Sequence, residues 1–574
     1  MHYRFSSQNP NSHYIDIEFS FDNTSKDTID IHLPAWRPGR YELGNFAKNV
    51  QAWKAFDDKG NELLFSKIAK DTWRVTTANA KKIVVKYNYY AAEINAGSSY
   101  LDSKQLYVNP VNCCLYVQDK INEPCTLALD IPADYKVASS LKKISSNLYE
   151  AADFHEMADS PFIASNSLQH NMFVMDGVEF HLWFQGECKP NWTKLINDFF
   201  IFTNEQLLTL KEFTCEAYHF FFQILPVKFY HGVEHVKSTV IALGPSYKLM
   251  EDELYESLLG VSSHELFHSW NIKTIRPAEM LPYNYKQENY SRLGFVYEGV
   301  TTYYGDLMLF RGGVFSEQQF FKNFGVAIQR HLDNFGRFNL SVADSSFDTW
   351  LDGYVPGVPY RKTSIYDEGS IIAFVTDVLI RNHSNGKHSL DDVVRYLYTE
   401  FAKKNRGYND DDYKNTVAKF ATISLNDFFE KYVYTAASYD SIITMALDYI
   451  GCELSIAKSK KYYEAHYGIK VVDNGATVKV AAIYPNSIAY NSGVSMQDEI
   501  VAINGMAIKN DFADWAKYFG KRKITLQINR NGEFVSIELT PTSEEYYKTY
   551  TITKNIHASF EQKNAFQHWS KRLF

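Results

Sequence analysis

The chain has 574 residues, 45% hydrophobic and 22% charged, which is too long for one core and has the balance of a folded globular protein rather than a disordered one. A net charge of -8 with no block of Lys or Arg leaves no electrostatic footprint for nucleic acid, so no nucleic-acid partner is expected. Six cysteines without CxxC spacing argue against a disulfide framework or a thiolate metal site and for reduced, structural thiols.

The N-terminal stretch MHYRFSSQNPNSHY has no apolar core of a secretion signal, and the longest apolar run, 371–380, is too short for a bilayer. A cytoplasmic protein without a membrane span is the expectation. Up to about residue 170 the pattern is mainly period two, as in Ile15-Asp16-Ile17-Glu18-Phe19 and in Ile83 to Tyr90. This predicts an antiparallel, sandwich-like β domain over 1–170. After Asn191 apolar residues fall at helical spacing, including Leu195 to Leu225 and Leu254 to Trp270, and a helical domain is expected over 171–455. Short strand-like runs return between Gly468 and Leu539, among them Ala476 to Ile483 and Ile524 to Ile528, with Asn-Gly pairs at 504–505 and 531–532. They predict a small β module over 456–545. In the closing stretch, 546–574, Phe566 and Trp569 are expected to dock a short helix onto the body.

Chemistry concentrates at His264-Glu265-Leu266-Phe267-His268, an HExxH sequence. On a helix, residues i and i+4 share a face, so both imidazoles reach one cation while Glu265 sits close enough to act as general base on a water there. Imidazole and carboxylate donors around one open position are the set zinc prefers. The competing reading is an amphipathic helix that merely displays two His and a Glu. A third ligand must come from elsewhere. Glu298, entering a helix that Gly312 and Gly313 would close, is the best candidate, against the plainer reading of a solvated first-turn glutamate favoured by the helix dipole.

Around these residues the chain resembles the glycyl aminopeptidase family, zinc peptidases with a thermolysin-like catalytic domain distantly related to aminopeptidase N. HSWNIKTIRP (268–277) is similar to the family's HxWNxKxxRP, and ENYSRLGFVYEGVTTYY (288–304) to its ENYTxLxxxxEGxTxYY. LPAWRPGRYELGNFAKNV (33–50) looks like the LPxWxPGxYxxxxFAxxV of its β domain, so the resemblance covers nearly the whole chain. Thr274 stands where the family often has Arg, and Glu368 where a Tyr-x-Lys-Gly motif usually carries Lys.

The resemblance implies one zinc per chain on His264, His268 and Glu298, and a thermolysin-like α+β, largely helical catalytic domain. It implies that Tyr366, in Ser364-Ile365-Tyr366-Asp367-Glu368-Gly369, stabilises the oxyanion, where the plainer reading is one of 41 tyrosines packed by its ring. It also implies that the loop His231-Gly232-Val233-Glu234-His235, similar to GGLEH, binds the substrate's free amine, with Gly232, Glu234 and His235 as contacts. The alternative there is a turn glutamate ahead of a strand from Val236 to Leu243. The module at 456–545 resembles a PDZ domain, with Gly468 and Ile469 starting its peptide groove and PNSIAYNSGVSMQDEIVAINGMAI (485–508) tracking the bacterial pattern, apart from Asn491-Ser492 and Gln497. A peptide C-terminus or a partner protein would add there as a strand. The implied activity is a zinc aminopeptidase acting on peptides with small first residues, Gly or Ala. An endopeptidase of the same fold is the nearest alternative, and a non-catalytic PDZ scaffold a more distant one.

Overall fold

The computed structural model describes residues 1–574 apart from Lys26, Ala78 and Pro356. Period-two alternation builds the N-terminal sheet as expected. Tyr14–Asp22 and Lys82–Tyr90 pair antiparallel along their whole length, burying Ile15, Ile17, Phe19, Ile83, Val85 and Tyr87 on one face. They belong to an eight-stranded sheet whose neighbours are all antiparallel except His2–Ser6 beside Cys125–Leu129. A four-stranded and a three-stranded sheet complete this antiparallel β domain.

The helical reading of Leu195 to Leu225 needs correction. Strands β1 (Gln169–Met175) and β2 (Val178–Gln185) come first; helix α1 (Trp192–Leu210) then stops at Lys211, whose φ of 78° ends it. Strands β3 (Ala217–Ile224), β4 (Phe229–Glu234) and β5 (Ser238–Gly244) follow. The five form one sheet in the order β1-β2-β3-β5-β4, with β3 parallel to both neighbours and β4 at the edge. Both faces of β3 are covered, so Tyr218, Phe220, Phe221 and Phe222 are all buried. A continuous apolar run of this kind has the same signature as a buried helical segment. The central part of the chain is therefore helical with a mixed sheet, and the edge strand β4 forms one wall of its cleft.

Helices α2 (Asp252–Phe267), α3 (Gly299–Gly312), α4 (Glu317–Asp333) and α5 (Asp367–His383) supply the other walls. As expected, α3 ends at Gly312 with Gly313 at φ 84° as its left-handed cap. It packs antiparallel to α2, with Gly305 against the backbone of His264.

Further on, Ile469–Asp473, Val478–Ile483, Glu499–Ile503, Ile524–Arg530 and Glu533–Leu539 form a small β module with its own core. Asn504-Gly505 and Asn531-Gly532 all take positive φ, as tight hairpin turns demand. The module docks on the central part through Lys470 on Asp333 (2.6 Å) and the Tyr360 hydroxyl on the Ile483 carbonyl (2.6 Å). The final helix, Phe560–Ser570, buries Phe566 and Trp569, and the Trp569 indole N–H donates to the Tyr303 hydroxyl at 2.7 Å. All six cysteines are free. Among the described residues no helix is long and apolar enough to cross a membrane.

Candidate active site

The HExxH residues lie on the last turn of α2, and His268 is its C-cap. The two imidazoles meet with Nε2 atoms 3.0 Å apart. Glu298, where α3 begins, brings Oε2 to 3.4 Å from His268 Nε2 and 3.9 Å from His264 Nε2. His268 Nδ1 donates to the Asn271 carbonyl at 3.0 Å, which leaves its Nε2 lone pair facing the other two groups. The Asn271 amide donates in turn to Thr301 Oγ1 and the Val296 carbonyl, both at 3.0 Å, tying the turn after α2 to the segment that carries Glu298. Burial works to lower the His268 pKa, yet the Glu298 and Glu234 carboxylates outweigh it and carry it up to about 10. Burial, then the charge of His268, holds His264 well below the ordinary imidazole range. The locus draws positive charge, and its three donor atoms lie within 4.8 Å of one another, a cluster that could hold a divalent cation.

A cleft of about 610 Å³ opens over this cluster. Glu265 lines it, 5% exposed, with Oε2 lacking a partner among the described residues. Burial pushes its carboxyl well above the usual range, with Glu234 and Glu298 adding to the effect and His268 opposing it. Gly232 on β4 faces it, and a Cβ there would stand 2.2 Å from Glu265 Oε1. At the end of β4 lies Glu234, 4% exposed, its Oε1 equally without a partner.

The wall behind Glu234 comes from the N-terminal domain. Gly39, at φ 89°, sits so close that a Cβ would lie 2.5 Å from Glu234 Oε2. Its loop is pinned by Trp36, fully buried, whose indole N–H donates to the Asn284 carbonyl at 2.7 Å. Tyr366, just ahead of α5, closes the opposite side of the cleft. Burial, together with the charge of Glu298 and the neighbouring Tyr354 hydroxyl, pushes its pKa well above 10, so it remains an O–H donor.

Of the residues singled out in the sequence, His264, Glu265, His268, Glu298, Gly232, Glu234 and Tyr366 all line this cleft. His235 departs from its expected place beside the substrate amine. One residue past Glu234 its side chain turns the other way, with Nδ1 3.3 Å from Asp159, and it is not part of the cleft wall. Asp159 also takes Lys273 Nζ at 2.6 Å and the Val236 N–H at 2.7 Å, and so clamps the N-terminal domain to the loop after Glu234. Gly468 and Ile469 lie far along the chain in the C-terminal module, Gly468 at φ 74° and Ile469 fully buried. Gly39, Asp159 and Lys273 are the contributors that sequence reasoning passed over. Lys273 and Gly39 fall inside quoted motifs, which was the available signal.

Two family models match the chain: the Peptidase M61 N-terminal domain over residues 2–166 and M61 glycyl aminopeptidase over 257–372, the stretch that holds the whole cluster. The chain thus carries an M61 N-terminal domain and an M61 glycyl aminopeptidase domain. The second of these marks it as a peptidase of aminopeptidase type. An aminopeptidase N family protein from Idiomarina loihiensis is similar along 99% of both chains, at 25% identity and a TM-score of 0.91. An M1 zinc metallopeptidase from Deinococcus radiodurans matches far more loosely, at 13% identity over 73% of this chain and 90% of its own, TM-score 0.41. None of the curated proteins is similar enough to match. Both matched regions meet at the cleft, one bringing Gly39 and the other the HExxH helix.

Proposed function

We propose that the protein is a zinc-dependent aminopeptidase that removes N-terminal residues, Gly, Ala or other small ones, from peptides. The observation that carries this reading is the buried Glu234 carboxylate, whose Oε1 has no hydrogen-bond partner among the described residues, at the end of the cleft that Gly39 closes. A buried carboxylate lacking a donor is costly to maintain unless a ligand supplies one, and a peptide ammonium does so with a charge-assisted hydrogen bond. The wall behind it leaves no room for a chain that continues past its N-terminus.

His264, His268 and Glu298 would hold one zinc per chain, and the fit rests on two imidazole Nε2 atoms and a carboxylate oxygen converging within 4.8 Å of one another. A bound zinc supplies Lewis acidity, polarising a carbonyl and acidifying a water. Glu265 takes the proton from the attacking water and passes it to the leaving amine, a role its place on the cleft wall beside the cluster allows. Tyr366 donates its O–H to the carbonyl oxygen as charge develops there, a hydrogen bond that strengthens in the transition state. His235 acts as a strut between Asp159 and the Glu234 loop.

The proposed divisions are 1–170, 171–455, 456–545 and 546–574, the third a PDZ-type module. Support for that type is Gly468 in the left-handed conformation leading into the edge strand Ile469–Asp473, where a peptide C-terminus or a partner would add as a further strand.

The deciding experiment compares Gly- and Ala-amides with their N-acetylated forms, using wild type and Glu265→Gln with metal content determined. Turnover of the free-amine members alone, abolished in a variant that still holds one zinc, is the expected result. Cleavage of blocked peptides would make the enzyme an endopeptidase, and the absence of bound metal would overturn the zinc site.

A further inference from the structure

Resting on the peptidase reading, we propose that the cleft also selects on its leaving side: Asp306 and Glu256 receive the ammonium or guanidinium group of a lysine or arginine that follows the residue being removed. The substrates would be peptides with a small first residue and a basic second one.

Direction along the cleft follows from β4. Side chains on one face of a strand recur every second residue, about 7 Å apart. Glu234 marks the amine end, Gly232 lies over Glu265 at the reacting centre, and Tyr230 comes one step beyond. A peptide held along this edge, its amine at Glu234, therefore passes Tyr230 with its leaving portion.

The floor at that point is acidic. Because α2 and α3 run antiparallel, Gly305 backs onto His264, and Asp306 faces Gly260, one turn earlier on α2. A Cβ at residue 260 would meet Asp306 Oδ1 in ordinary contact at 3.7 Å, which places that carboxylate beside the Gly260 turn of α2 where it lines the cleft. Glu256 lies one further turn back, about 12 Å along the helix axis from His264. The long stems of lysine and arginine cover part of that distance, so Asp306, one turn from His264, is the nearer acceptor and Glu256 lies behind it, whereas short side chains stop before either.

The charge there is only partly compensated. Among the described residues Asp306 has no ion-pair partner but is hydrogen-bonded by Asn323, and Glu256 has Lys322 at 3.8 Å, a side chain 66% exposed, and the Gln319 amide at 3.3 Å. The basic residue that lines the same cleft, Arg330, is engaged with Asp367 at 3.3 Å. Burial, reinforced by Glu256, pushes the Asp306 carboxyl up to about 7, a strain that an incoming cation relieves. That the cleft holds a ligand at all is marked independently by Glu234 Oε1 and Glu265 Oε2, both on side chains over nine-tenths buried and without hydrogen-bond partners among the described residues.

The test is the hydrolysis of Gly-Lys-Ala-amide, Gly-Leu-Ala-amide and Gly-Glu-Ala-amide by the zinc-loaded full chain and by Asp306→Asn/Glu256→Gln. The same peptides are titrated calorimetrically into Glu265→Gln. Wild type is expected to favour the Lys peptide over the Leu peptide at least tenfold in kcat/KM, and the Glu peptide least. In the double variant the Lys/Leu ratio is expected to fall to within twofold of one. Equal rates for Lys and Leu, or a preference that survives the double substitution, would overturn the subsite. If no peptide is cleaved, the peptidase reading fails; tighter binding of the Lys peptide to Glu265→Gln would still uphold the subsite, and equal binding would remove it.

Discussion

His331 Nδ1 lies 3.2 Å from Glu368 Oε1, and both side chains are fully buried. His331 Nε2 accepts the Tyr439 N–H at 3.2 Å, so the ring proton resides on Nδ1 and is donated to Glu368. The other carboxylate oxygen accepts the Ser364 N–H at 2.8 Å, two residues ahead of Tyr366. Glu368, where the resemblance leads one to expect Lys, thus fixes the turn that presents Tyr366 to the cleft.

Glu368→Gln retains the shape but turns an N–H₂ towards one of two donors. It should lower stability by about 1–3 kcal/mol, seen as a reduced melting temperature. It should also lower kcat at least about tenfold, equivalent to about 1.4 kcal/mol, with KM little changed. A variant that melts lower yet keeps wild-type kcat would show that the pair braces the core without positioning Tyr366.

Tyr366→Phe removes the hydrogen bond to the developing oxyanion and should cost about a hundredfold in kcat, with zinc content unaltered. Because the phenol's pKa is driven well above 10, wild type and variant should share the same alkaline limb in their pH profiles below that value. Loss of metal along with activity would place Tyr366 in the integrity of the cluster instead.

Recognition of the amine is read by Glu234→Ala, which should reduce kcat/KM for free Gly-amides by roughly a hundredfold, the loss of a buried charge-assisted contact. Gly39→Ala should act in the same direction, since its Cβ would collide with Glu234 Oε2 and its φ of 89° is strained for Ala. If Gly39→Ala left the kinetics intact, the wall behind Glu234 would have to be softer than its geometry indicates.

The clamp on Asp159 gives a pH signature. Burial alone would raise its pKa, but Lys273 and then His235 hold it well below the usual carboxylate range. A depressed carboxyl contributes stability that is complete above the unfolded value of about 4 and is lost as pH falls towards the folded one. Asp159→Asn should therefore destabilise by about 3 kcal/mol at pH 7, since it leaves Lys273 buried without its partner. The difference from wild type should shrink below pH 4. Denaturant melts across pH check this, and a gap independent of pH would contradict it.

How much of this could be read in the sequence depended on distance along the chain. His264, Glu265 and His268 were legible because four residues of helix fix their geometry locally. Glu298 was legible as the start of a helix stopped by Gly313, although its approach to His268 depends on the Asn271 hydrogen bonds, which no periodicity announces. Strand β3 was misread because a strand covered on both faces loses its alternation. Gly39 and Asp159 went without a role since their partners, Glu234 and Lys273, lie in another part of the chain, and nothing local in either residue signals that pairing. His235 was placed on the wrong side of its loop because a motif gives residue order, not the side to which each residue turns.

The contact between Gly39 and Glu234 joins two parts of the chain far apart in sequence, so neither carries the end-reading property alone. Grafting the β domain of a relative with a bulkier residue at that loop would recalibrate which chain ends are admitted while leaving the metal ligands, the base and the phenol untouched. Widening the seam by the width of a peptide backbone would let an uninterrupted chain pass through. Whether such an enzyme trims ends or cuts internally would then be decided at the seam.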